Sequence, residues 1–385
     1  MALADFQNEI YFQGLGGVRP EFPTDLTKLE ALAERKLPPE AFGYIAGSAG
    51  TESTARANRE AFDKVKIVPR MLRDVGVRDL SVELFGQKLP APVLLAPIGV
   101  LSILHPEGEL AVAKAAASTG VPMILSTAAS NTMEDVAEAN GDGLRWYQLY
   151  WPKDRELAAS FMARARAAGY TALVVTLDTV SLAWRPRDLD QAYLPFLQGI
   201  GVANYFADPV FQKAIGGPVT ATNRPQALLH WIANFSDPTN TWDDLAFIRE
   251  HWDGPVVLKG VQHPDDARRA VDAGMDGVIV SNHGGRQVDG AVGSLEMLPE
   301  VVAAVGDQTT VLFDSGIRSG SDVVKALAIG ARAVLLARPY GYGLALGGEA
   351  GVRHVVRCLL AELELAMTLT GVKDIGELTP EILRS

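Results

Sequence analysis

Residues 277–290 read GVIVSNHGGRQVDG. The apolar, β-branched run Val278-Ile279-Val280 stops abruptly at Ser281-Asn282-His283-Gly284-Gly285-Arg286. Such a run reads as a buried strand that delivers a histidine and an arginine to its C-terminal edge. The two glycines between them remove side chains where something bulky must come close. An imidazole takes up a proton near neutral pH, and a guanidinium clamps a carboxylate through two parallel hydrogen bonds. Alone, HGGR also fits a plain polar turn. Its meaning depends on the residues carried by the other strand ends.

Similar runs lie on both sides of this one. Strands are predicted at 91–96, 121–125, 145–150, 172–178, 255–259, 277–281, 310–315 and 333–338. Helical patterns separate most of them, at 107–119, 132–139, 153–168, 243–251, 264–273, 296–305 and 321–329. Continuous apolar strands alternating with helices imply a parallel sheet covered by helices. Eight such units predict a closed (β/α)8 TIM barrel, an α/β fold, rather than an open doubly wound sheet. A helix over 352–367 closes the outer ring.

Residues 90–385 are therefore expected to form the barrel, with 1–89 as an arm and helical extension packed on it. Within that extension, 1–24 read as an arm laid over the body. Residues 25–36 have helical spacing, a segment restarts at Pro38-Pro39, and 79–87 form a short hairpin. One connection breaks the rhythm. Residues 179–242 are far longer than an ordinary loop, and carry Trp184, Tyr193, Phe196, Tyr205 and Phe206 among prolines, glycines and asparagines. That aromatic content predicts a partly ordered lid rather than disorder.

Composition narrows the function. The net charge of −11 disfavours a broad nucleic-acid or anionic-membrane surface, though not a local site for a small anion. The single cysteine, Cys358, rules out a disulfide framework within the chain. No segment reads as a signal peptide or membrane span, so the cytoplasm is the expected location. The six histidines form no ligand-spacing motif, and no metal site is expected.

A barrel gathers the residues just past each strand onto one rim, where active sites are assembled. Here the rim receives Pro97-Ile98-Gly99, Ser126, Gln148 and Tyr150, Asp178 and Arg185, Lys259, His283 and Arg286, Asp314 and Arg318, and Arg338. A structural polar residue at one strand end is common, but polar residues at nearly all eight call for a ligand. The ends of the seventh and eighth strands are the usual barrel phosphate region. Backbone N–H groups around Gly316 and after Ala337, with Arg318 or Arg338, suit a phosphate. No dinucleotide GxGxxG fingerprint and no P-loop is present. The expected ligand is a phosphorylated, largely planar cofactor.

These segments resemble the FMN-dependent L-2-hydroxy-acid oxidising family. The resemblance rests on YIAGSAG near the start, LAPIG, QLY, TLDT, SNHGGRQ and DSGIRSG, and runs from about Tyr44 to the C-terminus. WRPRDL, NYFADPVFQK and VVLKGVQHPDDARRA look most like the lactate 2-monooxygenase branch. The resemblance implies FMN as cofactor and a short L-2-hydroxy acid, L-lactate first, with molecular oxygen as partners. It also implies a homotetramer or homo-octamer.

The same resemblance implies a role for each residue. His283 is the base for the substrate hydroxyl, and Asp178 stabilises it once protonated. Arg185 and Arg286 hold the carboxylate with help from Tyr44, and Tyr150 bonds near the hydroxyl. Lys259 favours negative charge on the reduced flavin. Pro97, Ile98 and Gly99 run beside the ring, while Ser126 and Gln148 bond to it. Asp314 faces the ribityl chain; Gly316, Arg318 and Arg338 hold the phosphate.

The lactate 2-monooxygenase likeness implies oxidative decarboxylation to acetate, carbon dioxide and water. The alternative is an oxidase that releases the keto acid and hydrogen peroxide. Two departures stand out: Gly99 leaves space where an alanine would not, and Ala337 replaces a glycine common before Arg-Pro. An FMN-dependent isomerase is a rival, and so is a non-catalytic barrel scaffold. The combination of His283, Arg286 and Arg185 argues for oxidation of a carboxylate substrate.

Overall fold

Eight parallel strands close into a barrel in the computed structural model, which describes residues 2–384. They are β1 Val93–Leu95, β2 Met123–Ser126, β3 Arg145–Leu149, β4 Leu173–Thr176, β5 Val256–Val261, β6 Gly277–Val280, β7 Thr310–Phe313 and β8 Ala333–Leu336. Each pairs with its neighbours in sequence, and β8 pairs with β1. The predicted TIM barrel is the observed fold.

The period-two geometry of a strand explains how this barrel makes a site. One set of side chains, among them Val93, Leu125, Val175, Leu258, Val278 and Phe313, packs outward in the main core. The alternate set fills the interior as a second cluster: Leu94, Ile124, Trp146, Val174, Val257, Ile279, Leu312 and Leu335. Two residues further along each strand the same inward direction falls on Ala96, Ser126, Gln148, Thr176, Lys259, Ser281, Asp314 and Ala337. All but the alanines are polar. An apolar floor thus carries a polar layer directly above it.

The opposite end is stopped. The predicted hairpin is formed by Val82–Leu84 and Gln87–Leu89. Val82, Leu84 and Leu89 join the interior cluster, and the Phe85 ring lies 5.6 Å from that of Trp146.

Several elements depart from the sequence reading. The strands expected over 172–178, 310–315 and 333–338 end at Thr176, Phe313 and Leu336, so Asp178, Asp314 and Arg338 stand just past them. Within the arm over 1–24, Asp5–Leu15 forms a helix that the sequence reading did not specify. Arg357 secures it, bonding both carboxylate oxygens of Glu9 at 2.6 Å and lying 3.9 Å from the Phe6 ring centroid. The last helix starts earlier than predicted and spans Arg338–Thr370, with a break at Gly347–Gly348. A side chain at Gly347 would collide with the Phe22 ring, which explains why the break carries glycine.

The 179–242 excursion contains helices Pro186–Asp190, Ala203–Phe206, Pro209–Ala214 and Arg224–Asn234. Phe196, Tyr205, Phe211 and Trp231 are buried within it, and Phe196 stacks on Trp231 at 4.9 Å. Trp184, in contrast, is 74% exposed, so the aromatic residues do not all share one packing role. Among the described residues no helix is long and apolar enough to cross a membrane.

Candidate active site

A cavity lies above the polar layer, between the strand ends and the lid. The predicted residues Tyr44, Pro97, Ile98, Gly99, Tyr150, Arg185, Lys259, His283, Arg286, Asp314, Gly316, Arg318 and Arg338 all line it. Three others stand one step back. Asp178 reaches the cavity through His283. Ser126 donates to Gln148 Oε1 at 3.0 Å, and Gln148 Nε2 donates to Thr176 Oγ1 at 3.0 Å.

His283 is held with an unusual backbone. Its φ is 59°, and Gly284 and Gly285 come next at 66° and 78°. A Cβ at Gly284 would sit 2.7 Å from Arg338 Nη1, and one at Gly285 would sit 2.6 Å from the Ala55 nitrogen. The glycine pair therefore serves both the turn and the close approach. The turn aims His283 Nδ1 at Asp178 Oδ1, 2.7 Å away. Thr179 Oγ1 donates to the same Asp178 oxygen at 3.0 Å.

Burial raises the energy of an isolated carboxylate, but the charge and hydrogen bond of His283, with Lys259, hold Asp178 down to about 2. Burial also pushes the His283 imidazole below its ordinary value, opposed by Asp178 and assisted by Lys259 and Arg185. The pair is thus an ionised aspartate beside a neutral imidazole at neutral pH. That is a base ready to accept a proton.

Lys259 lies on the other flank, 4% exposed. Its Nζ is 3.0 Å from Asp314 Oδ2 and donates to Ser281 Oγ at 2.9 Å. Burial disfavours the ammonium, but Asp314 and Asp178 outweigh it and raise its pKa, so it stays charged.

Two further cations face the same space. Arg286 Nη1 donates to the carbonyls of Tyr44 and Gly47 at 2.5 and 2.8 Å, and its guanidinium stands 5.0 Å from the Tyr44 ring centroid. Arg185 Nε donates to the Arg286 carbonyl at 3.1 Å. Burial and the neighbouring Arg286 lower Arg185 to about 10. Among the described residues, no carboxylate forms a salt bridge with either arginine. Asp188, also buried, acts on both cations through space but makes no salt bridge to either, so the pair still suits an added anion.

Two more arginines stand beside the histidine turn. Arg338 donates to the carbonyls of Ile45, Gly284 and Gly47 and to Ser48 Oγ at 2.8 Å. Arg318 donates to the Ile317 carbonyl. Burial lowers both, Arg338 to about 10. Gly316 has φ 114°, and a Cβ there would meet the Asn58 carbonyl at 3.0 Å. Ala337 has φ −121° and ψ −96°, outside the left-handed region that favours glycine. At Gly99 the missing methyl group faces Ala128, 3.1 Å away.

Sequence reasoning missed part of the wall. Leu182, Phe196 and Phe235 give the cavity an apolar side, and Phe235 lies 5.2 Å from the Tyr150 ring. Phe235 sits in the lid, where no strand pattern locates it. Ser281 was findable, because it occupies the next inward position after Ile279. Ser315 accepts from Gly284 N at 3.0 Å and donates to Asp314 Oδ1 at 2.8 Å, joining the histidine turn to the seventh strand.

Comparison with known proteins gives the family. The family model for FMN-dependent dehydrogenase matches residues 33–385. An FMN-dependent alpha-hydroxy acid dehydrogenase of Penicillium citrinum is 48% identical over 98% of this chain and 95% of its own length. An L-lactate oxidase of Lysinibacillus sphaericus is 43% identical over 92% and 91%. The crystal structure of a mandelate oxidase superposes with a TM-score of 0.83 at 40% identity, covering 94% of this chain and 98% of that one.

Proposed function

Because the chain belongs to the FMN-dependent dehydrogenase family, we propose that it oxidises a short L-2-hydroxy acid and passes the electrons to oxygen, releasing a 2-keto acid and hydrogen peroxide. The observation that carries the reading is the neutral His283, held on ionised Asp178 and sharing its cavity with two arginines, buried Arg185 and half-buried Arg286, that form no salt bridge to a carboxylate. FMN would be held by residues of the same cavity, with buried Lys259 suited to a reduced, negatively charged ring and Gly316, Arg318 and Arg338 to its phosphate. When bound, FMN supplies the acceptance of the two electrons.

The chain's own residues do the rest. Arg185 and Arg286 bind the substrate carboxylate, and the phenols of Tyr44 and Tyr150 orient the C2 hydroxyl. Burial raises both phenols, so they stay protonated as donors. His283 takes the hydroxyl proton, and Asp178 stabilises the resulting imidazolium. The charge on Lys259 favours electron density arriving beside it. Ser126 and Gln148, in the polar layer, would bond the cofactor, and Asp314 fixes Lys259. Oxidation of the alcohol yields two electrons and two protons, and one molecule of oxygen takes up both pairs as peroxide.

The relatives described above are named oxidases and a dehydrogenase. They favour keto-acid release over the decarboxylation expected from the lactate 2-monooxygenase likeness. Anaerobic mixing with L- and D-lactate and L-mandelate, followed by oxygen, tests the reading. Bleaching of the yellow absorbance by L-isomers, then one peroxide per keto acid, is expected. No bleaching by any 2-hydroxy acid would sink the assignment, and acetate with carbon dioxide in place of peroxide would restore decarboxylation.

Two substitutions separate the roles. Asp178→Asn removes the counter-charge, so the His283 pKa falls further. The acid limb of kcat/KM should move to lower pH while its plateau drops by about 10²-fold. A limb that stays in place would show that Asp178 acts only as a spacer. Phe235→Ala removes an apolar face, and should lower kcat/KM for L-mandelate by about tenfold while changing L-lactate less. Equal losses on both acids would remove Phe235 from side-chain selection.

The proposed homotetramer or homo-octamer draws support from the lid's outer surface, where Trp184, Leu197, Leu229 and Ile232 are exposed. Light scattering in solution tests it.

A further inference from the structure

Gln287 comes directly after the cavity arginine Arg286 and does not line the cavity. Its amide nonetheless joins three parts of the site. Oε1 accepts from Arg185 Nη2 at 2.6 Å. Nε2 donates to the Asp178 carbonyl at 2.7 Å and to the Ser181 carbonyl at 3.2 Å. Arginine can only donate and a carbonyl can only accept, so the amide has one orientation that satisfies all three contacts.

The neighbourhood gives this geometry its meaning. Among the described residues, the other side-chain hydrogen bond from Arg185 goes to a backbone carbonyl, that of Arg286. Both of its hydrogen-bonded anchors are therefore neutral, and the carboxylate whose field reaches it, Asp188, makes no hydrogen bond or salt bridge to it. Nη1 is left without a protein partner, on a guanidinium that lines the cavity. A carboxylate at position 287 would reach the same Nη2, but as an ion pair it would neutralise the charge intended for the substrate. It would also turn negative oxygens toward the carbonyls of Asp178 and Ser181.

We infer that Gln287 is a positioning residue for carboxylate recognition: its neutral amide fixes the Arg185 fork without discharging it, and ties that fork to the backbone of the aspartate that supports His283. The inference rests on the proposed binding of a substrate carboxylate by Arg185 and Arg286. Gln287 orients one of those cations and touches no reacting atom.

The experiment compares holoenzymes carrying Gln287→Glu, Gln287→Met and Gln287→Ala with the wild type. Steady-state kinetics with the best L-2-hydroxy acid is paired with spectral titration by the corresponding 2-keto acid, which measures carboxylate binding without turnover. At pH 7.5, Gln287→Glu should raise KM and the keto-acid Kd by about tenfold to a hundredfold, with a smaller change in kcat. Near pH 5, as the introduced carboxyl gains a proton, both constants should return toward those of Gln287→Met.

A merely structural role predicts another order, with the truncating alanine worst, the near-isosteric glutamate mildest and no recovery at low pH. That order, or an unchanged keto-acid Kd in Gln287→Glu, would overturn the inference. If wild-type flavin is not bleached by any 2-hydroxy acid, the functional reading fails first, and the two failures are told apart by that control.

Discussion

Replacing His283 with glutamine is expected to slow anaerobic bleaching of the flavin by an L-2-hydroxy acid by about 10²–10⁴-fold, the usual worth of a positioned general base. Glutamine keeps polar atoms near the hydroxyl but cannot accept its proton at neutral pH. The environment is already arranged for that transfer: Asp178 sits 2.7 Å from Nδ1, so positive charge formed on the ring meets a fixed negative charge. Flavin content should stay near stoichiometric, because Gly316, Arg318 and Arg338, the residues proposed to hold the phosphate, are unchanged. Stopped-flow absorbance with a flavin-content assay checks both. A rate within threefold of wild type would remove His283 from the chemistry.

The largest effect on stability belongs to Lys259. Lys259→Met leaves the Asp314 carboxylate buried beside an apolar side chain, where a broken buried pair typically costs about 3–5 kcal/mol. Denaturant melts of the apoprotein measure it, and adding Asp314→Asn should recover much of the loss. The pH dependence has a definite sign. The lysine pKa is raised in the fold, so its stabilisation is complete below the unfolded value of about 10.5 and fades as pH rises through the folded one. Lys259→Met should therefore flatten stability against pH on the alkaline side. An unchanged alkaline profile would show that the pair contributes nothing net.

The fold was legible because strands buried on both faces are written as unbroken apolar runs, and eight of them alternate with helices. Most of the site was legible for a related reason. In a closed barrel a polar residue just after such a run faces the rim, so Lys259, His283 and Asp314 announced themselves one strand at a time. The features hidden in the sequence depend on long-range packing. Phe235 becomes a cavity wall only because the Arg224–Asn234 helix folds back beside Tyr150, a contact between residues 85 apart in sequence. The helix over Asp5–Leu15 was obscure because Glu9 and Phe6 meet their partner, Arg357, only across the folded molecule. The start of the last helix was masked by glycines that make room for Phe22 and for close helix contacts.

The hairpin under the barrel has a consequence for access. With Phe85 and its neighbours set against Trp146, that end of the barrel is plugged. A molecule bound among the strand ends is therefore loaded and unloaded from the opposite rim, the side on which the 179–242 segment lies.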